Sequence, residues 1–143
     1  MNNWIYQGRE YNPPKDFTPN DLYGFVYCIT NRATNRKYIG KKFFWKAKTL
    51  PITKTRKRRK KLLVESDWKD YYGSHKDILK LLKEGDPMDF ERRILCYVPN
   101  KKLLTYFECK YLFINEVLET RNDYINDNIL GKFYRKDFLN ETK

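Results

Sequence analysis

The stretch that most constrains the fold of this chain is residues 24–42, where two short apolar and aromatic runs flank a polar segment. The runs are residues 25–29 and 38–40, and the segment between them is rich in Asn, Arg and Thr. This pattern predicts a β-hairpin with a long loop. Antiparallel pairing about the middle of that loop would place Tyr27 and Tyr38 roughly opposite each other. Tyrosines also favour half-buried strands for packing reasons, so the pair by itself does not define a function.

Positive charge is concentrated around the same stretch. The formal net charge of the 143-residue chain is +12, but residues 22–64 carry fourteen Lys or Arg and no acidic residue. A field of this size attracts polyanions through counterion release. The basic run is interleaved with Phe43, Phe44 and Trp45, which favours a nucleic-acid partner over a solubilising or ribosome-associated segment.

Length and composition indicate the broad class of protein. The length is typical of one domain with a modest core. The three cysteines, Cys28, Cys96 and Cys109, are isolated, which argues against a disulfide framework or a zinc site. No apolar run is long enough to cross a membrane and the first thirty residues lack a signal-peptide pattern. We therefore expect a soluble cytoplasmic protein with no membrane partner.

The chain divides into three segments. Residues 1–21 contain three prolines and are typical of an N-terminal extended arm, pinned across the domain by its aromatic residues. Residues 22–131 form the domain itself, and residues 132–143 form a basic and aromatic C-terminal tail. Within the domain, residues 46–61 are a basic insertion that we expect to be a mobile loop until a counter-charge orders it.

The sequence after the basic insertion predicts three helices and one further strand. A short helix capped by Ser66 and a second helix ending near Glu84 follow the insertion. A strand over residues 90–98 and a long helix over residues 101–119 come next. The order β-β-α-α-β-α predicts a small single-domain α/β fold with a three-stranded antiparallel sheet flanked by helices. The predicted inward-facing residues are Ile78, Leu79, Leu81 and Leu82 in the second helix and Leu104, Phe107, Tyr111, Ile114 and Leu118 in the long one.

The hairpin resembles the signature of the GIY-YIG nuclease family, in which a Gly-Ile-Tyr-like triplet is followed after a loop by Tyr-Ile-Gly. The second triplet is literal, Tyr38-Ile39-Gly40, and the first is loosened to Phe25-Val26-Tyr27 with its glycine one place earlier, at Gly24. The resemblance covers roughly residues 23–128. The layout is most similar to short stand-alone members encoded by bacteriophages, some of them homing endonucleases. It implies a GIY-YIG-like fold and endonuclease activity in the cytoplasm of an infected bacterial host.

The resemblance also implies roles for individual residues. Family members carry one metal-binding glutamate on a late helix with an aromatic residue three positions on, and Glu108 with Tyr111 fits this pattern. By resemblance, Tyr27 orients or deprotonates the attacking water and Tyr38 hydrogen-bonds the phosphate region. Glu108 would hold Mg²⁺, with Mn²⁺ as an alternative, since a hard cation on one carboxylate keeps several waters. We expect nearby lysines to lower the pKa of the Tyr27 phenol.

The family arginine that contacts the scissile phosphate has no counterpart at its expected place. The first helix after the hairpin offers Lys69 as its best cation. Lysine would supply a point charge in place of a bidentate fork. Competing cations are Lys41, Lys42, Arg56, Arg58 and Arg59.

Three other interpretations stay open. Asn126 resembles the asparagine that supports the active-site loop in many members, although a plain turn residue fits equally well and Asn128 is an alternative. His75 is the single histidine, and capping of the following helix is favoured over an acid–base role. From periodicity alone, Glu108 is typical of an edge glutamate paired with a neighbouring lysine.

The sequence therefore predicts a divalent-metal-dependent endonuclease that cuts or nicks DNA, most simply double-stranded DNA. The predicted catalytic residues are Tyr27, Tyr38, Lys69, Glu108 and Asn126, and the predicted metal ligand is Glu108. The predicted DNA-binding residues are Lys41, Lys42, Lys54, Arg56, Lys57, Arg58, Arg59, Lys60 and Lys61. The alternative is a non-catalytic nucleic-acid-binding module that uses the same basic surface. The oligomeric state is open, with a dimer as one option.

Overall fold

The computed structural model describes residues 3–13, 17–19, 22–55, 57–58, 60–120 and 123–139. The strands are β1 (Trp4–Tyr6), β2 (Arg9–Glu10), β3 (Gly24–Asn31), β4 (Lys37–Phe43), β5 (Trp45–Leu50), β6 (Lys60–Glu65), β7 (Phe90–Val98), β8 (Asn128–Ile129) and β9 (Phe133–Tyr134). The helices are α1 (Lys76–Glu84), α2 (Lys101–Ile114) and α3 (Arg135–Leu139), with 3₁₀ turns at Trp68–Asp70 and Pro87–Asp89. None of the helices within the described ranges is long and apolar enough to cross a membrane.

The central sheet has five strands in the order β2-β1-β7-β3-β4, so the prediction of three strands is wrong. β3 lies between β7 and β4 and pairs antiparallel with both. The two additional strands come from the N-terminal arm, and β1 pairs parallel with β7, which makes the sheet mixed. The buried Trp4 anchors this addition by donating a hydrogen bond of 2.7 Å to the Trp68 carbonyl. A three-residue strand has too short a pattern to be recognised in sequence. The α/β class is confirmed.

The register of the central hairpin makes the two tyrosines diagonal neighbours rather than opposite ones. Tyr27 lies opposite Gly40 and Tyr38 lies opposite Ile29, with the two tyrosine ring centroids 6.2 Å apart. Both rings remain on one face of the sheet because the offset is an even number of residues. A Cβ atom at Gly40 would lie 2.7 Å from Tyr27 Cζ and closer still to the hydroxyl. The glycine of the second triplet therefore makes room for the tyrosine of the first.

Side-chain alternation along β3 divides the core into two layers. Phe25, Tyr27 and Ile29 face the first layer, where they pack with the 3₁₀ turn at Trp68–Asp70 and with α1. Val26 faces the second layer, which α2 covers. β4 is the strand at this end of the sheet, so both layers meet beside it.

Both long helices bury fewer of the predicted residues than expected. In α1, Ile78 is buried, but Leu79 and Leu81 are each 43% exposed. α2 ends at Ile114 rather than near residue 119, and Ile114 is 64% exposed while Leu112 is buried. An exposed apolar residue that neighbours a buried position of a helix has the same residue type as a core residue. The sequence alone therefore does not distinguish the two.

The basic insertion forms a β-hairpin in its described part, where a mobile loop was expected. β5 and β6 are six residues each and pair antiparallel along their whole length. Leu62, Leu63 and Val64 supply strand-forming side chains whose signal the surrounding charge obscured. Ser66, predicted as a helix cap, instead closes this hairpin by donating its hydroxyl to the Phe43 carbonyl at 2.6 Å.

Residues after α2 cover part of the free edge of β4. The Lys37 N–H donates to the Asp123 carbonyl and the Ile125 N–H donates to the Lys37 carbonyl, both at 2.8 Å. Arg135 of α3 holds this connection in place, although the sequence placed it in a tail. Its guanidinium donates hydrogen bonds to the carbonyls of Val117, Thr120, Tyr124 and Asn126.

Candidate active site

A cavity of about 290 Å³ opens beside β4, where the cover on the edge of the sheet ends. Its walls come from β4, from the loop before α1, from α2 and from the segment leading into β8. The fold therefore brings together the predicted residues Tyr38, Glu108 and Asn126, with Tyr27 packed against Tyr38. The lining residues are Tyr38, Ile39, Lys41, His75, Glu108, Leu112, Asn126, Asp127, Asn128 and Leu130.

Tyr27 is almost fully enclosed, with 1% of its surface exposed. Its ring centroid lies 6.2 Å from that of Tyr38 and 5.8 Å from that of Tyr71. Burial raises the pKa of the Tyr27 phenol well above its usual value of 10.0, and the phenols of Tyr71 and Tyr38 add to the rise. The expected lowering by lysines is therefore wrong in direction, because Lys41 and Lys42 are directed to other partners.

Tyr38 is half-buried and forms one wall of the cavity. Burial raises the pKa of its phenol, and a hydrogen bond with Ser74 opposes the rise. Gly73 packs over both tyrosines: a Cβ there would lie 3.4 Å from the Tyr27 hydroxyl and 3.6 Å from Tyr38 Cδ2. Its φ of +89° is in the left-handed region that favours glycine. The local backbone thus holds two neutral phenols side by side.

Glu108 projects from α2 into the cavity and is 18% exposed at its side chain. Its Oε1 atom lies 3.8 Å from Lys41 Nζ, which also donates a hydrogen bond of 3.0 Å to Thr105 Oγ1. Burial raises the pKa of the Glu108 carboxyl, and Lys41 opposes the rise. An additional cation would stabilise the ionised form of this partly buried carboxylate.

The donor set fits a hard divalent cation held through one carboxylate. In the part of the chain that the structure describes, no three His, Cys, Asp or Glu side chains group in a way that could hold a metal. Mg²⁺ is commonly bound through one or two carboxylates while it retains several waters. The cavity has room for about ten waters at ~30 Å³ each, so a hydrated ion beside Glu108 can be accommodated. Lys41 is the cation with which it would share the carboxylate.

Lys69 lies away from this cavity. Its side chain is 69% exposed and lines a separate cavity of about 590 Å³ between the N-terminal arm and the 3₁₀ turn. Lys42 lies closer to the tyrosines: its Nζ is 4.1 Å from the ring centroid of Tyr71 and 2.6 Å from Asp67 Oδ1. Lys41 and Lys42, two of the five competing cations identified in the sequence, therefore lie closer to the cavity than Lys69.

Asn126 is 4% exposed and pairs with the main chain of the Tyr-Ile-Gly triplet. Its Oδ1 accepts a hydrogen bond of 3.1 Å from the Ile39 N–H, and its Nδ2 donates one of 2.8 Å to the Ile39 carbonyl. The amide group thereby takes the place of a neighbouring strand at the edge of β4. Asn126 is a positioning residue in this geometry, because it fixes the segment that carries Asp127.

His75 caps α1 and also faces the cavity. The Asp77 N–H donates to His75 Nδ1 at 3.1 Å, so the neutral ring carries its proton on Nε2. Nε2 lies 3.4 Å from Asp127 Oδ2. The ring therefore presents an N–H group at the cavity. Sequence reasoning missed Asp127, and its position next to Asn126 was the one available signal.

The residues predicted to bind DNA divide between two places. Lys41 lines the cavity and Lys42 follows it on β4, and those of the others that the structure describes belong to the β5–β6 hairpin. Arg56 and Arg59 lie outside the described residues. Among the rest, Lys54, Lys57 and Arg58 are exposed near the tip of the hairpin, and Lys60 and Lys61 begin β6.

A family model matches most of the chain. Residues 4–129 match the family model described as "Putative endonuclease segE, GIY-YIG domain". The match runs from β1 to the end of β8 and includes both central tyrosines and every side chain of the cavity up to Asn128. No curated protein and no solved structure matches the chain. The chain therefore belongs to the SegE-type GIY-YIG nuclease family.

Proposed function

We propose that this protein is a divalent-metal-dependent endonuclease that hydrolyses phosphodiester bonds in double-stranded DNA. The observation that carries the proposal is the meeting of Tyr38, Lys41 and Glu108 in one cavity beside the buried Tyr27. The proposed setting is the cytoplasm of a phage-infected bacterium, as for the stand-alone members that the sequence resembles.

The two phenols are proposed to act as hydrogen-bond partners rather than as charged bases. Their raised pKa values keep both groups protonated at neutral pH. Tyr38 lines the cavity, which supports a role for its hydroxyl as a donor to a phosphate oxygen. Of the two roles open to Tyr27, orienting the attacking water fits a neutral phenol better than deprotonating it.

The remaining groups provide charge and donors around the phosphate. Glu108 is proposed to hold Mg²⁺ or Mn²⁺, which when bound neutralises charge on the phosphoryl oxygens and stabilises the leaving oxygen. Lys41 and Lys42 would replace the family arginine as point charges. The N–H at His75 Nε2 faces Asp127 Oδ2 at 3.4 Å and would donate to a phosphate oxygen or to the leaving group by exchanging that partner.

A non-catalytic nucleic-acid-binding module is the second candidate. Lys41 already neutralises part of the charge of Glu108 at 3.8 Å, so the carboxylate has a cationic partner without a metal. Lys69, the expected substitute for the arginine, lies in a different part of the surface. This candidate predicts tight DNA binding with no cleavage in any metal.

Plasmid relaxation distinguishes the two candidates. Wild-type protein, Glu108→Gln and the control Glu119→Gln, an exposed glutamate beyond α2, are incubated with supercoiled plasmid in Mg²⁺, Mn²⁺ or EDTA. We expect metal-dependent nicking by the wild type and the control, and a loss of about a hundredfold or more in Glu108→Gln with unchanged gel-shift binding. Tight binding by the wild type without nicking, in either metal and on DNA from several sources, would make the binding module the better account.

A further inference from the structure

We infer that the β5–β6 hairpin is a ribbon that enters the major groove of duplex DNA and contacts base edges there. The inference rests on the proposed action on DNA and adds the helical form of the substrate and the groove that is contacted. A lysine-rich loop that grips phosphates carries no sequence information, whereas a ribbon in the major groove does. The hairpin would therefore give this small chain a sequence preference in binding DNA.

The dimensions of the hairpin fit the major groove. Each strand is six residues long, which corresponds to about 20 Å at ~3.3 Å per residue. The two strands of a ribbon lie about 4.8 Å apart, and their side chains widen it further. The major groove of B-form DNA is about 12 Å wide and admits a two-stranded ribbon, but the minor groove is only about 6 Å wide.

The side chains of the hairpin suit base edges as well as phosphates. By strand alternation, Lys46 and Lys48 project from one face of the ribbon, and Ala47, Thr49 and Leu63 share the other. All five are exposed, and Leu63 is 54% exposed. If the first face meets the bases, its lysines can donate to guanine O6 and N7; if the second face does, its threonine and aliphatic groups can contact the methyl group of thymine. Residues 46–64 contain no acidic residue to repel the backbone.

The composition of the hairpin argues against single-stranded nucleic acid and against double-stranded RNA. Proteins that bind single strands stack bases on aromatic side chains. Residues 46–64 contain no Phe, Tyr, Trp or His. In A-form RNA the major groove is too deep and narrow for protein side chains to reach the bases. B-form duplex DNA is the partner that remains.

The base of the ribbon is fixed to the strand that carries the candidate active site. Phe44, 0% exposed, is the one residue between β4 and β5, and its carbonyl accepts a hydrogen bond of 2.7 Å from the Ser66 N–H. Trp45 Nε1 donates to the Leu22 carbonyl at 2.8 Å. Because β4 also supplies Tyr38 and Lys41 to the cavity, bases held by the ribbon would lie at a set distance from the scissile phosphate.

Methylation interference tests the groove directly. A synthetic duplex of mixed sequence is sparsely methylated with dimethyl sulfate, which modifies guanine N7 in the major groove and adenine N3 in the minor groove. It is then bound by the Glu108→Gln protein in EDTA, so that the result does not depend on cleavage. We expect guanine N7 methylation to be depleted from the bound fraction. Depletion of adenine N3 methylation instead, or of neither, would overturn the inference.

One hairpin variant and one matched control on α1 test which element is responsible, both in the Glu108→Gln background. The double variant Lys46→Gln/Lys48→Gln is expected to bind the duplex about tenfold or more weakly and to lower the slope of log affinity against log salt by about two. The matched control Lys80→Gln/Lys83→Gln removes the same charge from exposed positions of α1 and is expected to change little. Equal losses in both pairs would mean that net charge acts without the ribbon, and the inference would fail.

A shortened chain separates this inference from the proposed function. Replacing residues 47–63 by Asn-Gly joins Lys46 to Val64, which face each other in the hairpin, through a two-residue turn. In the otherwise wild-type chain, we expect this variant to remain folded by circular dichroism and to lose guanine N7 interference. If it nicks plasmid and shows interference as the wild type does, the ribbon inference is wrong while the nuclease proposal stands. Guanine N7 interference in a protein that never nicks would leave the ribbon in place and remove the nuclease.

Discussion

The ring of Tyr27 lies across Gly40, and an added methyl group at Gly40 would lie 2.7 Å from Tyr27 Cζ. The neighbour is a buried ring and cannot move aside, so we expect Gly40→Ala to lower the free energy of unfolding by about 1–3 kcal/mol. Displacing Tyr27 also displaces Tyr38, so plasmid nicking should fall strongly. Urea unfolding and the plasmid assay measure the two effects.

Gly85→Ala is the comparison for this substitution. A Cβ at Gly85 would approach the Leu81 carbonyl oxygen to 3.2 Å, a milder contact, and the φ of −131° is accessible to alanine. We expect it to cost less stability and to leave nicking unchanged. Equal behaviour of the two variants would show that the contact between Gly40 and Tyr27 does not position the tyrosine.

Glu108 gives the folded chain a pH-dependent cost in stability. Burial raises its folded pKa, with Lys41 opposing, so the folded state binds this proton more tightly than the unfolded state. Stability therefore falls as the pH rises from the unfolded pKa, ~4.3, through the folded one. We expect Glu108→Gln to be more stable than the wild type at neutral pH, and the difference to disappear in acid below the unfolded pKa. Thermal unfolding as a function of pH measures this.

Asp67 provides a comparison of opposite sign. The hydrogen bond from Lys42 holds the pKa of the Asp67 carboxyl below its usual value. The stabilisation that the ionised Asp67 carboxylate gives to the fold is present above the unfolded pKa and is lost as the pH falls through the folded pKa. Asp67→Asn should therefore be the less stable protein at neutral pH and converge with the wild type in acid. If both variants shift stability in the same direction, the assigned environment of Glu108 is wrong.

Motif spacing indicated which residues meet, but not their protonation. Tyr38, Glu108 and Asn126 line one cavity because the hairpin and the long helix were both predicted correctly in type and near-correctly in place. The direction of the pKa shift at Tyr27 depends on an aromatic cluster assembled from the N-terminal arm and the 3₁₀ turn, which no local pattern predicts. Lys69 is the predicted cation of the first helix after the hairpin. That segment forms a 3₁₀ turn instead, and the Lys69 side chain lines the separate cavity beside the N-terminal arm.

At the scale of elements, Arg135 of α3 holds the segment that carries Asn126 and Asp127. Its guanidinium bridges four backbone carbonyls between residues 117 and 126. Arg135→Met keeps much of the apolar stem and removes every donor. We expect it to cost about 2–3 kcal/mol of unfolding free energy, since hydrogen bonds to charged groups are among the stronger ones. Chemical denaturation gives the total cost.

Hydrogen exchange shows where that loss is felt. The Ile39 amide donates to Asn126 and the Lys37 amide donates to Asp123, so both should exchange faster in Arg135→Met. Lys136→Met, an exposed neighbour on α3, is the control and should leave both amides protected. Unchanged protection at Ile39 in Arg135→Met would mean that Asn126 is held without Arg135.

Elements with a long, single-period pattern were predicted well, and short or charge-masked ones were not. The strand over residues 90–98 coincides with β7, whose apolar and aromatic residues lie at position 90 and over residues 94–98, directly before Pro99. β1 is too short to show an alternating pattern. In β5 and β6, lysines within the strands obscure the apolar pattern that would predict a hairpin. Both missed elements depend on tertiary support: β1 on its pairing with β7, and the hairpin on the anchoring of its base.

At the scale of the whole molecule, the excess positive charge lies in one continuous segment of the sequence, which supplies both the β4 wall of the cavity and the hairpin. Residues 22–64 carry all of the excess charge, and the remaining residues have more acidic than basic side chains. Such asymmetry orients the approach to a polyanion before any specific contact forms. The side of the protein that meets DNA first is therefore the side that carries the proposed ribbon and the tyrosines.

One chain supplies one cavity with Tyr38 and Glu108, and this limits what a single binding event can do. The two strands of a duplex run in opposite directions, so a protein held in one orientation by its hairpin presents its site to one strand. We expect nicked circles to accumulate to most of the supercoiled plasmid before linear DNA appears, with an initial rate proportional to protein concentration. Agarose gels of a time course at several protein concentrations measure both quantities, and Glu108→Gln sets the background. Linear DNA formed without a nicked intermediate, at a rate that rises with the square of the concentration, would instead require two chains acting together on opposite strands.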